Sequence, residues 1–138
     1  MGYVGLPLAL AAAKVGFRVI GFDIDERRVA LLNRGESGFT HIPSGPLALA
    51  LSQGRFTATA DLSALNRPDA ILIAVPTPLS KQREPDLTYV ENSTEAIAKA
   101  LRPGQLVVLE STTWPGTTRE VVQPILEKSA LRIGTDYY

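Results

Sequence analysis

Residues 2–25 read GYVGLPLALAAAKVGFRVIGFDID, and the order of residue types in this stretch decides the fold. Gly2-Tyr3-Val4-Gly5 matches the second half of the pattern G-x-G-x-x-G. In that pattern glycines let the backbone approach a dinucleotide pyrophosphate, and the helix that follows receives the negative charge at its N-terminus. Pro7 suits a first helical turn, the small apolar run through Ala13 can pack closely against a sheet, and Gly16 ends it, which predicts a helix over residues 5–15. Phe17 to Asp23 is β-rich and largely apolar, as a parallel strand covered by helices on both sides should be. Asp23 lies 21 residues after Gly2, at the end of that strand, where a carboxylate can accept hydrogen bonds from the adenosine ribose hydroxyls. A G-x-x-G half-motif alone is weak, since glycines that only permit close helix packing also produce it; the spacing to Asp23 favours the dinucleotide.

Outward from this stretch the alternation continues. Asp25 can cap a second helix with Val29 and Leu32 on its inner face, and Gly35 supplies the stop. A polar, Gly- and Pro-rich segment from Glu36 to Pro46 leads to a helical Leu47–Leu51 and a short strand near Phe56–Thr59. An apolar strand Ala70–Val75 follows, then a long loop holding Pro76, Pro78 and Pro85, and a helix from about Leu87 to Leu101 closed by Pro103 and Gly104. Gln105–Glu110 reads as another strand, Ser111–Gly116 as a loop and Thr117 to about Ser129 as a helix, with Tyr137 and Tyr138 opening one more strand. Strands alternating with helices predict an α/β, Rossmann-type doubly wound parallel sheet. Met1 stands where the pattern has the residue between its first two glycines, so the first strand is expected upstream of this chain. In the usual strand order 3-2-1-4-5-6 that strand is central, and without it its neighbours stand about twice the ~4.8 Å strand spacing apart unless they close up.

With 138 residues, 45% of them hydrophobic, the chain suits one globular domain. Fourteen basic and fourteen acidic residues cancel, which removes the electrostatic footprint of a nucleic-acid or anionic-membrane binder and favours a small-molecule partner. Cysteine is absent, so disulfides and thiolate metal sites are excluded, and no metal site is expected. No apolar run reaches the length of a membrane span, and the apolar opening lacks the basic n-region of a signal peptide, so a cytoplasmic protein is expected.

Several residues carry candidate chemistry. The carboxylate of Asp23 repels a 2′-phosphate, favouring NAD over NADP, although Arg27 and Arg28 could offset that repulsion and Arg28 equally suits a solvated helix face. Ligands of open α/β sheets sit beyond the carboxyl ends of the strands, where Val75-Pro76-Thr77-Pro78 and Glu110-Ser111-Thr112-Thr113 are placed. Thr77 can hydrogen-bond a phosphate or the nicotinamide side of the cofactor, or simply cap its turn. Thr112 can position a water or a substrate hydroxyl but has no adjacent base to make it a nucleophile. Glu110, Trp114, Pro115 and Gly116 read as structural. His41, the single histidine, sits in a predicted loop with no carboxylate or serine arranged around it as a triad or metal site would require.

Five ordered motifs, GYVGLPLA, VIGFDID, AVPTPL, EPDLTYV and ESTTWPGTT, resemble the amino-terminal NAD-binding domain of the UDP-glucose/GDP-mannose dehydrogenase family across nearly the whole chain. The loop AVPTPLSKQREPDLTYV is similar to the bacterial UDP-N-acetylhexosamine 6-dehydrogenase branch, which implies UDP-N-acetylglucosamine or UDP-N-acetylmannosamine as substrate. The resemblance implies oxidation of the sugar C6 alcohol to a carboxylate in two hydride transfers to NAD, through an aldehyde captured by a cysteine as a thiohemiacetal, in the service of polysaccharide biosynthesis. Carried over by motif, Gly2, Tyr3, Val4 and Gly5 approach the pyrophosphate, Asp23 and Arg28 the adenosine ribose, and Thr77 and Thr112 the inner part of the cofactor site, with Thr112 assisting catalysis. The departures are the absent first glycine, the absent cysteine, and a chain that stops before the segment where the family places its catalytic glutamate, lysine and cysteine. The expectation is therefore an N-terminally truncated Rossmann domain over 1–138, inactive alone, whose central and C-terminal partner domains bind most of the UDP-sugar in a homodimer or larger assembly. Other readings stay open: the first domain of another NAD-dependent enzyme such as a hydroxyacid dehydrogenase, a noncatalytic dinucleotide-binding module, or a methyl-donor-binding domain.

Overall fold

The computed structural model describes residues 2–79 and 85–138; the predicted position of Met1 within the glycine pattern, and residues 80–84 of the long proline loop, lie outside them. The chain divides into two compact units, residues 1–64 and 65–138. Each is built on one pair of parallel strands.

In the first unit, helix α1 (Gly5–Lys14) leads through a tight connection into β1 (Val19–Phe22), followed by α2 (Glu26–Asn33), α3 (Ser44–Ser52) and β2 (Phe56–Thr59). β1 and β2 pair in parallel with Val19 opposite Phe56 and Phe22 opposite Thr59. Helix α1 forms because Leu6, Ala9 and Ala13 recur on one face, and all three are buried with Leu32, Leu47 and Phe56 in one core. Asp25 is the N-cap of α2, its carboxylate accepting from the amides of Arg27 and Arg28 at 3.0 and 3.4 Å. Of the two residues expected on the inner face, Leu32 is fully buried and Val29 packs partly against the core. Gly35 stops the helix in the left-handed region at φ +82°. Helix α3 starts at Ser44, ahead of the expected Leu47: Pro46 falls in its first turn, where the missing N–H costs nothing. At the far end of α2 the Asn33 amide bonds both backbone groups of Ala58, at 2.9 and 2.8 Å, and ties the helix to β2.

A 3-10 turn, Leu62–Asn66, that the sequence reading did not anticipate precedes the second unit's β3 (Ala70–Ile73), α4 (Thr88–Ala100) and β4 (Leu106–Leu109). β3 and β4 pair in parallel, Ala70 opposite Leu106 and Ile73 opposite Leu109. Gln105 does not open the strand as expected. Its fully buried side chain accepts from the Arg102 amide at 2.9 Å and donates to the carbonyls of Leu65 and Pro68 at 3.1 and 2.8 Å. The helix expected over 117–129 is broken into a π-helical turn Thr118–Val122, α5 (Gln123–Leu126) and a 3-10 turn Glu127–Ser129. Pro124 gives the reason: it has no N–H for the carbonyl four residues back and its ring crowds that carbonyl, so the preceding turn widens. No further strand is assigned at Tyr137 and Tyr138, but the Tyr138 amide bonds the Gln105 carbonyl at 2.9 Å and its carbonyl accepts from Val107 at 2.6 Å, so the chain lies alongside β4.

Burial corrects one expectation. β1 is half-buried, with Phe17 ahead of it 67% exposed, and β3 alternates between exposed and buried residues. In a two-stranded ladder every strand is an edge strand, so neither is enclosed as a central strand would be. Among the described residues no helix is long and apolar enough to cross a membrane.

Candidate functional site

Helix α1 and strand β1 pack together and are joined by only the four residues 15–18, so the chain reverses between them. About 15 Å of helix runs one way and about 13 Å of strand returns. The start of α1 and the end of β1 therefore share one edge of the first unit, which brings the Gly2–Gly5 turn and Asp23 to the same side. The turn is suited to an anion: among the described residues no side chain caps α1, its first turn holds no acidic residue, and a side chain at Gly2 would meet nothing within 4 Å. Helix-start amides left without a side-chain acceptor, beside open space, fit a pyrophosphate. Asp23 directs Oδ1 at the Asp25 amide, 3.0 Å away, an arrangement that fixes the carboxylate at the strand end.

The side chains around this edge interlock. The Tyr3 ring stacks on His41 with centroids 4.8 Å apart and planes 5° from parallel, and it tilts against Phe39 at 4.9 Å. The Arg28 guanidinium lies over the Phe39 ring, 4.8 Å from its centroid. Arg28 is thus half-buried and held in place, whereas Arg27 is exposed. His41 has ring partners that the sequence could not reveal, because Tyr3 lies 38 residues away and Phe39, two residues away, sits with His41 in an irregular segment. Val4 is 56% exposed.

In the second unit the two loops singled out beyond β3 and β4 are fastened to each other. Ser111 Oγ accepts from the Val75 amide at 3.0 Å and donates to the Val75 carbonyl at 2.8 Å. Thr77 Oγ1 donates to the Thr112 carbonyl at 2.8 Å. The structure therefore brings Thr77 and Thr112 together, and Thr77 presents a ligand with oxygen lone pairs only, its proton being committed. Ser111 is the residue that sequence reading missed: it lay inside a quoted motif, but its partner is 36 residues distant. Glu110 adds a rung through its amide to the Ile73 carbonyl at 2.9 Å, while Thr117 Oγ1 bonds the Trp114 carbonyl at 2.8 Å and closes the Trp114–Gly116 turn. Both roles are structural. Among the described residues no three His, Cys, Asp or Glu side chains gather as metal ligands do.

The NAD-binding domain of the UDP-glucose/GDP-mannose dehydrogenase family matches residues 1–138. The chain belongs to this family. Its fold is the Rossmann-type α/β fold and its cofactor is NAD. It is 37% identical over its whole length to the UDP-N-acetyl-D-glucosamine 6-dehydrogenase of Pseudomonas aeruginosa, of which it covers 32%. It is 42% identical over 92% of its length to the UDP-N-acetyl-D-mannosamine dehydrogenase of Escherichia coli K12, covering 30% of that protein. A solved ternary complex of GDP-mannose dehydrogenase from P. aeruginosa superposes on 99% of the chain with a TM-score of 0.95 at 33% identity, the match spanning 33% of that structure. The chain spans about a third of the length of these relatives.

Proposed function

We propose that this chain is the cofactor-binding part of an NAD-dependent nucleotide-sugar 6-dehydrogenase that oxidises the C6 alcohol of a UDP-N-acetylhexosamine to the carboxylate. The observation that carries the reading is the shared edge of the first unit. There the Gly2–Gly5 turn is uncapped and open, and Asp23 stands at the end of the adjoining strand.

In this reading the amides at Tyr3, Val4 and Gly5 receive the pyrophosphate, with Gly2 leaving room for it. Asp23 accepts from the ribose hydroxyls, Arg28 lies beside the same sugar, and the carboxylate repels a 2′-phosphate. In the second unit, Thr77 and Thr112 serve the nicotinamide end, and the hydroxyl of Thr112, an exposed residue, orients a water or the substrate alcohol. Bound NAD supplies the hydride acceptor for both oxidations. The sugar assignment rests on relatives named for UDP-N-acetylglucosamine, UDP-N-acetylmannosamine and NDP-N-acetyl-galactosaminuronic acid. The TM-score of 0.95 to a GDP-mannose enzyme reports backbone shape, which a change of sugar leaves in place.

Further domains holding the sugar and the catalytic cysteine, a homodimeric or larger assembly, and a cytoplasmic location belong to the same reading. The test is NADH formation by the full-length enzyme with UDP-N-acetylglucosamine, UDP-N-acetylmannosamine, UDP-glucose and GDP-mannose. The expected result is turnover of an N-acetylhexosamine substrate with two NADH per sugar; turnover confined to UDP-glucose or GDP-mannose rejects the sugar assignment, and binding of S-adenosylmethionine in preference to NAD rejects the whole reading.

A further inference from the structure

We propose that Phe39 and His41 are positioning residues of the cofactor site, holding Tyr3 of the glycine turn and Arg28 of α2 at a fixed spacing around the adenosine diphosphate. The inference rests on the site reading above and adds residues that the glycine pattern does not contain.

The glycine turn has few anchors of its own. Gly2 has no side chain and open space beside it, and Val4 is mostly exposed. The Leu6 amide bonds the Gly2 carbonyl at 3.2 Å, and the turn's one side-chain anchor beside it is the Tyr3 ring, itself 70% exposed, whose ring contacts among the described residues are His41 at 4.8 Å and Phe39 at 4.9 Å. Phe39 and His41 also touch each other, at 5.8 Å, so the three rings close a triangle. The Phe39 ring also carries the Arg28 guanidinium, 4.8 Å from its centroid. One aromatic cluster thus links a residue whose amide faces the pyrophosphate to a cation beside the ribose.

The segment bearing these rings is built to hold them. Ser37 is buried; its hydroxyl donates to the Ile42 carbonyl and accepts from the Phe39 amide at 3.2 Å. Its amide bonds Ser44 Oγ at 3.2 Å, and the Ile42 amide bonds the Phe39 carbonyl at 3.2 Å while its side chain sits in the core. This fixed platform places two exposed or half-exposed rings against the turn, where a segment needed only for connection would carry polar residues. Such rigid aromatic contacts lose little freedom on binding and hold a site's geometry in advance of the ligand.

The test uses the full-length enzyme with His41→Ala, His41→Leu and His41→Phe. Calorimetric titration with NAD and with ADP-ribose is run beside thermal unfolding. Losing one aromatic pair should weaken both ligands equally, by about two- to tenfold, with the kcat at saturating NAD unchanged and the unfolding temperature lowered by no more than a few degrees. His41→Phe should restore binding and His41→Leu should not. Unchanged affinity in His41→Ala overturns the proposal. So does a His41→Phe variant as weak as His41→Leu, or a loss confined to NAD and absent for ADP-ribose. If the alanine variant does not fold, the comparison of phenylalanine with leucine decides alone. Asp23→Ala run in parallel separates the two levels: if it also leaves NAD affinity intact, the site reading fails, whereas a weakened Asp23→Ala beside an unaffected His41→Ala rejects only the positioning role.

Discussion

Replacing Ser111 with alanine removes the latch between the two loops of the second unit. The hydroxyl accepts from the Val75 amide at 3.0 Å and donates to the Val75 carbonyl at 2.8 Å. Each neutral hydrogen bond contributes a net ~0.5–1.5 kcal/mol, and both sit where water can only partly replace the lost partner, which gives a loss of about 2 kcal/mol. Thr77→Val removes the second fastening, one bond of 2.8 Å to the Thr112 carbonyl in a more exposed setting, and should cost about 0.5–1 kcal/mol. Because both bonds hold the same pair of loops, the double variant should lose less than the sum, by roughly 0.5 kcal/mol. The assay is thermal unfolding of the full-length enzyme with calorimetric NAD titration beside it. A loop pair no longer held beforehand must be ordered by the ligand, so NAD affinity should fall by up to about tenfold. Unfolding within about 0.5 kcal/mol of wild type, together with an unchanged NAD affinity, would refute the latch.

Three further outcomes follow from other parts of the molecule. Gly35→Val should destabilise the first unit by about 1–3 kcal/mol, because φ there is +82° and an added Cβ would meet Ala48 at 3.2 Å; chemical denaturation would show it. Asp86 is held below the usual carboxylate range by hydrogen bonds from the Thr88 hydroxyl and amide, so its stabilising effect is present above the ordinary carboxylate pKa and is lost as pH falls through the lowered one. Thr88→Val should therefore raise the Asp86 midpoint in an NMR pH titration, and an unmoved midpoint contradicts the assignment. Burial, with Glu127 adding to it, pushes the Tyr137 phenol above its usual range; the folded form keeps its proton where the unfolded chain has lost it, so stability falls as pH rises from about 10 towards the raised value. Tyr137→Phe should remove that alkaline loss and leave neutral-pH stability unchanged or higher, since the hydroxyl is buried with no protein partner among the described residues. A drop in stability on that substitution would show that the hydroxyl is satisfied.

The sequence carried the parts of this molecule that local chemistry controls. Phe56–Thr59 formed the expected strand to the residue, because β-favouring side chains alternate there between turn residues. Asp25 capped and Gly35 stopped α2 as read, since both act through neighbours within a turn. The broken helix around Pro124 was missed because the apolar spacing on either side is helical and only the proline's geometry interrupts it. Strand ends were read long: Ala70–Val75 became Ala70–Ile73, with Val75 bonded to Ser111 rather than to a strand. In the candidate site, the glycine turn and Asp23 stand out in sequence as a spacing, whereas the Ser111 latch and the Tyr3–His41 stack join residues 36 and 38 positions apart and exist only once the chain has folded. His41 looked idle in sequence because triads and metal sites were sought around it, and a stacking partner leaves no spacing to find.

A crystal structure of the full-length enzyme with NAD would bear on the central claim most directly. The account predicts pyrophosphate oxygens on the amides of residues 3–5, with the adenosine ribose hydroxyls bonded to the Asp23 carboxylate in the same bound molecule. A cofactor whose phosphates lie away from that turn, or whose ribose makes no contact with Asp23, would contradict it.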